Sequence, residues 1–490
     1  MRESGILMHI SSLPSEFGIG TFGKEAYRFV DFLKKGGQKY WQVLPMCPVG
    51  AGNSPYQSVS CFAGNPLFID LEKLEEEGLI KSDDYKELFF GEDKEKVDFE
   101  ALFKNKMPVL FSAAKEFLKN LNEDYKAFCN ENFDWLENFA LFSAISDKKG
   151  YGSFKDWDKS LLKYDLKAIN NFITENEEEI ELYKIIQYFF FKQWDELKKY
   201  ANENEISIIG DIPIYVSPYS SDVWSSPLQF SLDEELEPTY VAGVPPDAFA
   251  ADGQLWGNPI YNWSYMKKDG YSWWISRIKN AFKVYDMVRI DHFRGFESYY
   301  RVKNGEKTAI NGNWVKGPGA KLFALAEREL GKLPIIAEDL GIITDEVKEM
   351  LKETGYPGMK VLQFAFDSRE ENDYLPHNYN ENSVVYTGTH DNNTIIGWFS
   401  EINEADKHQA INYMRLTKEE GYNFGMMKTA LASKSKLCIL TMQDLLGLGS
   451  EGRMNVPGTP SGNWIWRIKG ECINDWLAGI LFDITKTYSR

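Results

Sequence analysis

Eight short runs of β-branched and apolar residues, centred near positions 6, 41, 208, 288, 335, 362, 385 and 439, punctuate this sequence. Between them lie segments of helical period or long insertions. Strands joined through a helix run parallel, because a parallel pair needs a long crossover. The first unit sets the pattern. Residues 5–10 read as a strand. Ala26, Phe29, Val30 and Leu33 then recur at i, i+3, i+4 and i+7, one face of a helix that Gly36 and Gly37 stop. Residues 40–44 resume as a strand closed by Pro45. Eight parallel strands alternating with helices predict an α/β fold, a (β/α)8 barrel of the TIM type. An open doubly wound sheet is the competing arrangement, but no G-x-G-x-x-G follows a strand. A barrel takes about 250 residues, and the chain has 490. The excess is assigned to a mainly helical insertion at 70–180 and a loop-rich insertion at 217–272, with residues 1–490 forming one barrel domain.

The net charge of −18 argues against a nucleic-acid partner, whose phosphates would repel it. Charge runs such as Glu75-Glu76-Glu77 and Glu177-Glu178-Glu179 read as solvated faces. Aromatic residues are abundant, with 14 Trp, 26 Tyr and 32 Phe, more than packing alone calls for. A surplus of flat rings suits an uncharged ligand with apolar faces, such as a sugar. The five cysteines are scattered and form no C-x-x-C, which fits reduced thiols. The N-terminal apolar run is short for a signal peptide, and no run approaches about 18 apolar residues. The expectation is a cytoplasmic protein with no membrane span.

The strand near 288 ends in Val-Arg-Ile-Asp-His-Phe-Arg-Gly, residues 288–295. With a period of two, Arg289 and Asp291 share one face with Met287, while Val288 and Ile290 share the other. Burying an arginine beside an aspartate is costly unless the two are paired or used. An isolated R-x-D would mean no more than a structural ion pair. Other strands, however, end in the same way: Asp211 follows 206–209, Glu338 and Asp339 follow 333–337, and His390, Asp391 and Asn392 follow 383–387. In a (β/α)8 barrel these C-terminal ends share one mouth. Asp339 and Asn392 also fit helix N-caps. Four acids at one mouth repel each other, which a fold avoids unless it uses them. Metal binding and glycoside chemistry are the two main uses. There is no phosphate loop and no H-E-x-x-H, and the aromatic-rich loops favour a sugar. Tyr56, in the long loop 50–66, reads equally as a ligand platform and as a turn-packing residue. His9 reads equally as a site residue and as a core histidine. Trp464 and Trp466 read as packing.

These motifs resemble those of the amylomaltase family, 4-α-glucanotransferases among the α-amylase-related barrel enzymes, and the resemblance covers the whole length. Residues 288–295, Ala-Glu-Asp-Leu-Gly (337–341) and Gly-Thr-His-Asp-Asn (388–392) match its catalytic motifs. Gly-Asp-Ile-Pro-Ile-Tyr-Val (210–216), Asp-Gly-Gln-Leu-Trp-Gly-Asn-Pro (252–259), Gly-Thr-Pro-Ser-Gly-Asn-Trp (458–464) and Asn-Ser-Pro-Tyr (53–56) match its substrate motifs.

The resemblance implies roles for individual residues. Asp291 would be the nucleophile, Glu338 the proton donor and then acceptor, and Asp391 the group that binds the 2- and 3-hydroxyls of the sugar. Arg289 would pair with Asp291. Asp211, His292 and His390 would hold the same sugar, with Tyr56 near the entrance. Trp256 would stack on the acceptor, and Asn463 would line the donor side. Residues 247–257 and 457–464 are expected to act as lids that exclude water. The implied partners are malto-oligosaccharides, maltose and a glucose acceptor, with neither a cofactor nor a metal. The C-terminal β-domain of many α-amylases is expected to be absent. Two other functions fit the same residues: an α-1,4-glucan hydrolase with this triad, and a non-catalytic glucan-binding protein.

Overall fold

The computed structural model describes residues 2–490 except 151, 247–250, 342, 370 and 371. Eight parallel strands close into a barrel: β1 (Glu3–Leu7), β2 (Tyr40–Gln42), β3 (Ser207–Ile212), β4 (Met287–Ile290), β5 (Ile335–Ala337), β6 (Gly358–Val361), β7 (Ser383–Tyr386) and β8 (Leu437–Thr441). Each pairs with its neighbours in sequence, and β8 returns to β1 with Glu3 opposite Leu437. The open sheet is thereby excluded. The strands are short, and strand character near 362 gives way at Leu362–Ala365 to a 3-10 turn. Between β6 and β7 the described residues hold only 3-10 turns.

Helices pack around the outside. Lys24–Lys35 buries Ala26, Phe29, Val30 and Leu33, and the last helix, Asp475–Thr487, packs beside it. Between β2 and β3 the chain is helical over most of its length, including Phe99–Leu118, Phe133–Lys148 and the 27-residue helix Glu177–Glu203. The Glu177, Glu178 and Glu179 run occupies the first turn of that last helix, where the macrodipole favours negative charge.

That long helix also fixes the loop after β2. Gln187 accepts from Gly64 N (2.7 Å) and donates to Gly64 O (3.0 Å). Gln193 does the same for Asp70, at 2.7 and 3.1 Å. Two buried amides thus satisfy backbone groups that would otherwise be costly to bury. At the other end of β3, a Cβ on Gly210 would lie 2.1 Å from the Tyr285 ring, so the residue before Asp211 has no room for a side chain.

A second sheet stands beside the barrel mouth. Its antiparallel strands run in the order Gln254–Pro259, Tyr240–Val244, Ser298–Lys303 and Asn313–Lys316. Two of them lie within the stretch read as loop-rich. Among the described residues, no helix is long and apolar enough to cross a membrane.

Candidate active site

Strand register brings the charged groups together. In the β3–β4 pair Asp211 lies opposite Arg289. In the β4–β5 pair Ile290 lies opposite Ala337, so the next residues, Asp291 and Glu338, emerge side by side. Arg289 is buried and forks. One terminal nitrogen donates to Asp211 Oδ2 at 2.6 Å and the other to Asp291 Oδ1 at 2.8 Å, while Nε contacts Met359 Sδ at 3.3 Å. A planar guanidinium is suited to two carboxylates at once.

Glu338 is held by the backbone. His292 N donates to Oε2 at 2.6 Å and Leu340 N to Oε1 at 2.8 Å. His292 reaches this position in a left-handed conformation, with φ 51° and ψ 47°. These N–H donors and Arg289 favour the carboxylate. Burial, followed by the charge of Asp291, outweighs them and pushes Glu338 up to about 8. Near neutral pH it therefore keeps its proton.

Asp211 is also buried. Its Oδ2 accepts from Tyr56 Oη at 2.9 Å as well as from Arg289, and Oδ1 has no partner among the described residues. Burial lifts it to about 7 against the pull of Arg289. Tyr56 stacks on His390, with centroids 5.0 Å apart and planes 20° apart, and its hydroxyl lies 3.4 Å from His390 Nδ1. The entrance-loop tyrosine thus lies against Asp211 and His390. Burial lowers the His390 imidazole, so it is neutral beside Asp391, 3.4 Å from Oδ1. Burial also brings His292 down to about 4. Trp256 stands edge-on to the His292 ring at 4.8 Å.

Other sequence candidates lie elsewhere or serve the backbone. Asn463 accepts from Val456 N at 2.9 Å and donates to Thr459 O at 3.1 Å, bracing its own loop. Asp339 accepts from Met359 N at 2.6 Å, and Asn392 accepts from Thr389 N at 2.8 Å, so neither caps a helix. His9 is a core imidazole that accepts from Leu44 N at 3.2 Å and is lowered to about 3 by burial. Of the two expected lids, 457–464 is described, whereas 247–250 lie outside the described residues.

Sequence reasoning missed Arg453 and Asn455, which grip Asp391. The charges of Asp339 and Glu338 are felt at the Tyr374 hydroxyl, which burial raises first of all.

The mouth thus holds a proton-bearing acid beside an arginine-paired carboxylate, with a third carboxylate and aromatic rings around them. That arrangement can attack and protonate the two ends of one glycosidic bond. Comparison with known proteins agrees. The profile of a family described as 4-alpha-glucanotransferase matches residues 8–473. A 4-alpha-glucanotransferase of Clostridium butyricum is 49% identical over 485 residues, covering 99% of this chain and 100% of that one. One from Streptococcus pneumoniae is 47% identical, covering 100% and 97%. The solved structure of amylomaltase from Streptococcus agalactiae in complex with acarbose superposes with a TM-score of 0.98 at 46% identity, covering all of both chains.

Proposed function

This chain belongs to the 4-alpha-glucanotransferases of glycoside hydrolase family 77, and from that premise we propose the chemistry its site performs. The activity is the transfer of α-1,4-glucan segments. The donors are malto-oligosaccharides and the acceptors are a second oligosaccharide, maltose or glucose. The reaction is a retaining double displacement.

In the first step an oxygen of Asp291 attacks the anomeric carbon. The bond from that carbon to the leaving oxygen breaks, and Glu338 gives the leaving oxygen its proton. In the second step Glu338, now a carboxylate, takes the proton from an acceptor hydroxyl. That hydroxyl oxygen displaces Asp291 from the anomeric carbon. The register that sets Asp291 beside Glu338, with Arg289 on the former, is the observation that carries this assignment. Asp391 grips the hydroxyls of the sugar at the cleaved bond. Asp211, Tyr56, His292 and His390 enclose that sugar, and Trp256 faces the acceptor. Asn463 shapes the donor side through its loop. The five cysteines carry free thiols, which supports a reducing compartment such as the cytoplasm.

Incubation with maltotriose tests the transfer. Glucose together with a ladder of longer chains, at constant reducing-end count, is the expected result. Shorter sugars alone, with a rising reducing-end count, would mark a hydrolase. Unchanged maltotriose would mark a binding protein.

A further inference from the structure

Asp391 leaves the end of β7 with one carboxylate oxygen already engaged. Asn455 Nδ2 donates to Oδ1 at 2.6 Å, and His390 Nε2 lies 3.4 Å from the same atom. Oδ2 has no partner among the described residues. The backbone around this contact is tied down. Asn455 N donates to His390 O at 3.1 Å. Arg453 donates from one terminal nitrogen to Asp391 O and from Nε to Asn455 O, each at 2.8 Å. The segment then continues into the loop that Asn463 braces and into Trp464, whose ring packs 5.6 Å from Tyr56 and 5.7 Å from His390.

We propose that Asn455 is a positioning residue for Asp391. By occupying Oδ1 it turns Oδ2 toward the hydroxyls of the sugar at the cleaved bond. This rests on reading Asp391 as the group that grips those hydroxyls. An amide N–H donating to one carboxylate oxygen fixes the orientation of the other, because the bond is directional. His390 is a poor substitute, since its imidazole is neutral and its contact longer. Arg453 holds both backbones so that the amide meets the carboxylate without searching rotamers. A reacting group needs support of this kind, because a small misplacement costs rate steeply.

The test compares α-glucosyl fluoride with its 2-deoxy analogue in the wild type, Asn455→Ala and Asp391→Ala, measuring kcat and KM separately. Asp391→Ala is expected to lose far more kcat on the intact donor than on the 2-deoxy donor. Asn455→Ala is expected to follow the same pattern on a smaller scale, losing about tenfold on the intact donor and little on the other. Equal losses on both donors in Asn455→Ala, with Asp391→Ala still discriminating, would make Asn455 merely structural and overturn the proposal. Failure of Asp391→Ala to discriminate would overturn the reading of Asp391 and the proposal with it. Asn455→Leu keeps nearly the size and the backbone bonds, adds no charge and removes the donor. It should match the alanine variant in kcat while melting close to the wild type, and wild-type kcat in Asn455→Leu would refute the proposal.

Discussion

Arg289 donates to the carboxylate of Asp291, two residues further along the chain and just past the strand end, at 2.8 Å, while its other terminal nitrogen holds Asp211 at 2.6 Å. A lysine brings the charge but only a single point of attachment. Arg289→Lys should therefore fold and lose about a hundredfold in kcat, because one of the two carboxylates is left unpaired in a buried site. Steady-state kinetics on maltotriose checks this. A variant with near-normal kcat would show that the fork is not needed.

Glu338 stands at about 8, raised first by burial and then by Asp291. The protonated form is the one that serves a sugar leaving group. Transfer from malto-oligosaccharides should fall as the pH rises through about 8. Fluoride leaves without a proton, so the burst of fluoride from α-maltosyl fluoride should hold its rate over the same range. Parallel pH–rate profiles for the two donors decide it, and a shared alkaline limb would contradict the proton-donor role.

The same shift has a stability consequence of definite sign. A carboxyl raised in the folded state contributes its full stability only below its unfolded value, about 4.3. That contribution is lost as the pH rises through about 8. Glu338→Gln cannot ionise and escapes the loss. Its melting temperature relative to the wild type should climb between about pH 5 and about pH 9. A constant difference across that range would show that Glu338 is not raised.

Tyr56 donates to Asp211 Oδ2 at 2.9 Å and stacks on His390. Tyr56→Phe keeps the stacking ring and removes the donor from a carboxylate that already has one unpartnered oxygen. A loss of about tenfold in kcat/KM with little change in melting temperature is expected. Measurement of both quantities separates this from a packing defect, which would lower the melting temperature.

Trp256 sits on the small sheet beside the barrel, with its ring edge-on to His292. Trp256→Ala should leave the fluoride burst intact, raise the KM for glucose as acceptor several-fold, and increase the share of donor lost to water. Product ratios from maltotriose with added glucose report this directly. An unchanged ratio would remove Trp256 from the acceptor side.

Much of this was legible because the residues that define it obey a period. Val288 and Ile290 point one way and Arg289 and Asp291 the other, and that alternation placed the charges inside the barrel. The helix at Lys24–Lys35 announced itself by the spacing of Ala26, Phe29, Val30 and Leu33. The small sheet did not. Its strands are interrupted by Gly243, Gly257 and Pro259, residues that read as turns. Arg453 and Asn455 were invisible for a different reason. They lie in a loop without periodicity, more than 60 residues from Asp391, and only folding brings them to it. Asn463 was placed near the site by its motif, but its amide serves the loop, a distinction that sequence spacing cannot draw.

The pairing of Asp291 as nucleophile with Glu338 as acid is tested most directly by trapping the covalent intermediate. Glu338→Gln is treated with α-maltosyl fluoride, quenched in acid, digested, and its peptides weighed. The predicted result is a maltosyl increment on the peptide carrying Asp291, and on no other acid. An increment on a peptide carrying Asp211, Asp391 or the substituted position 338 instead, or none at all while fluoride is released, would contradict it.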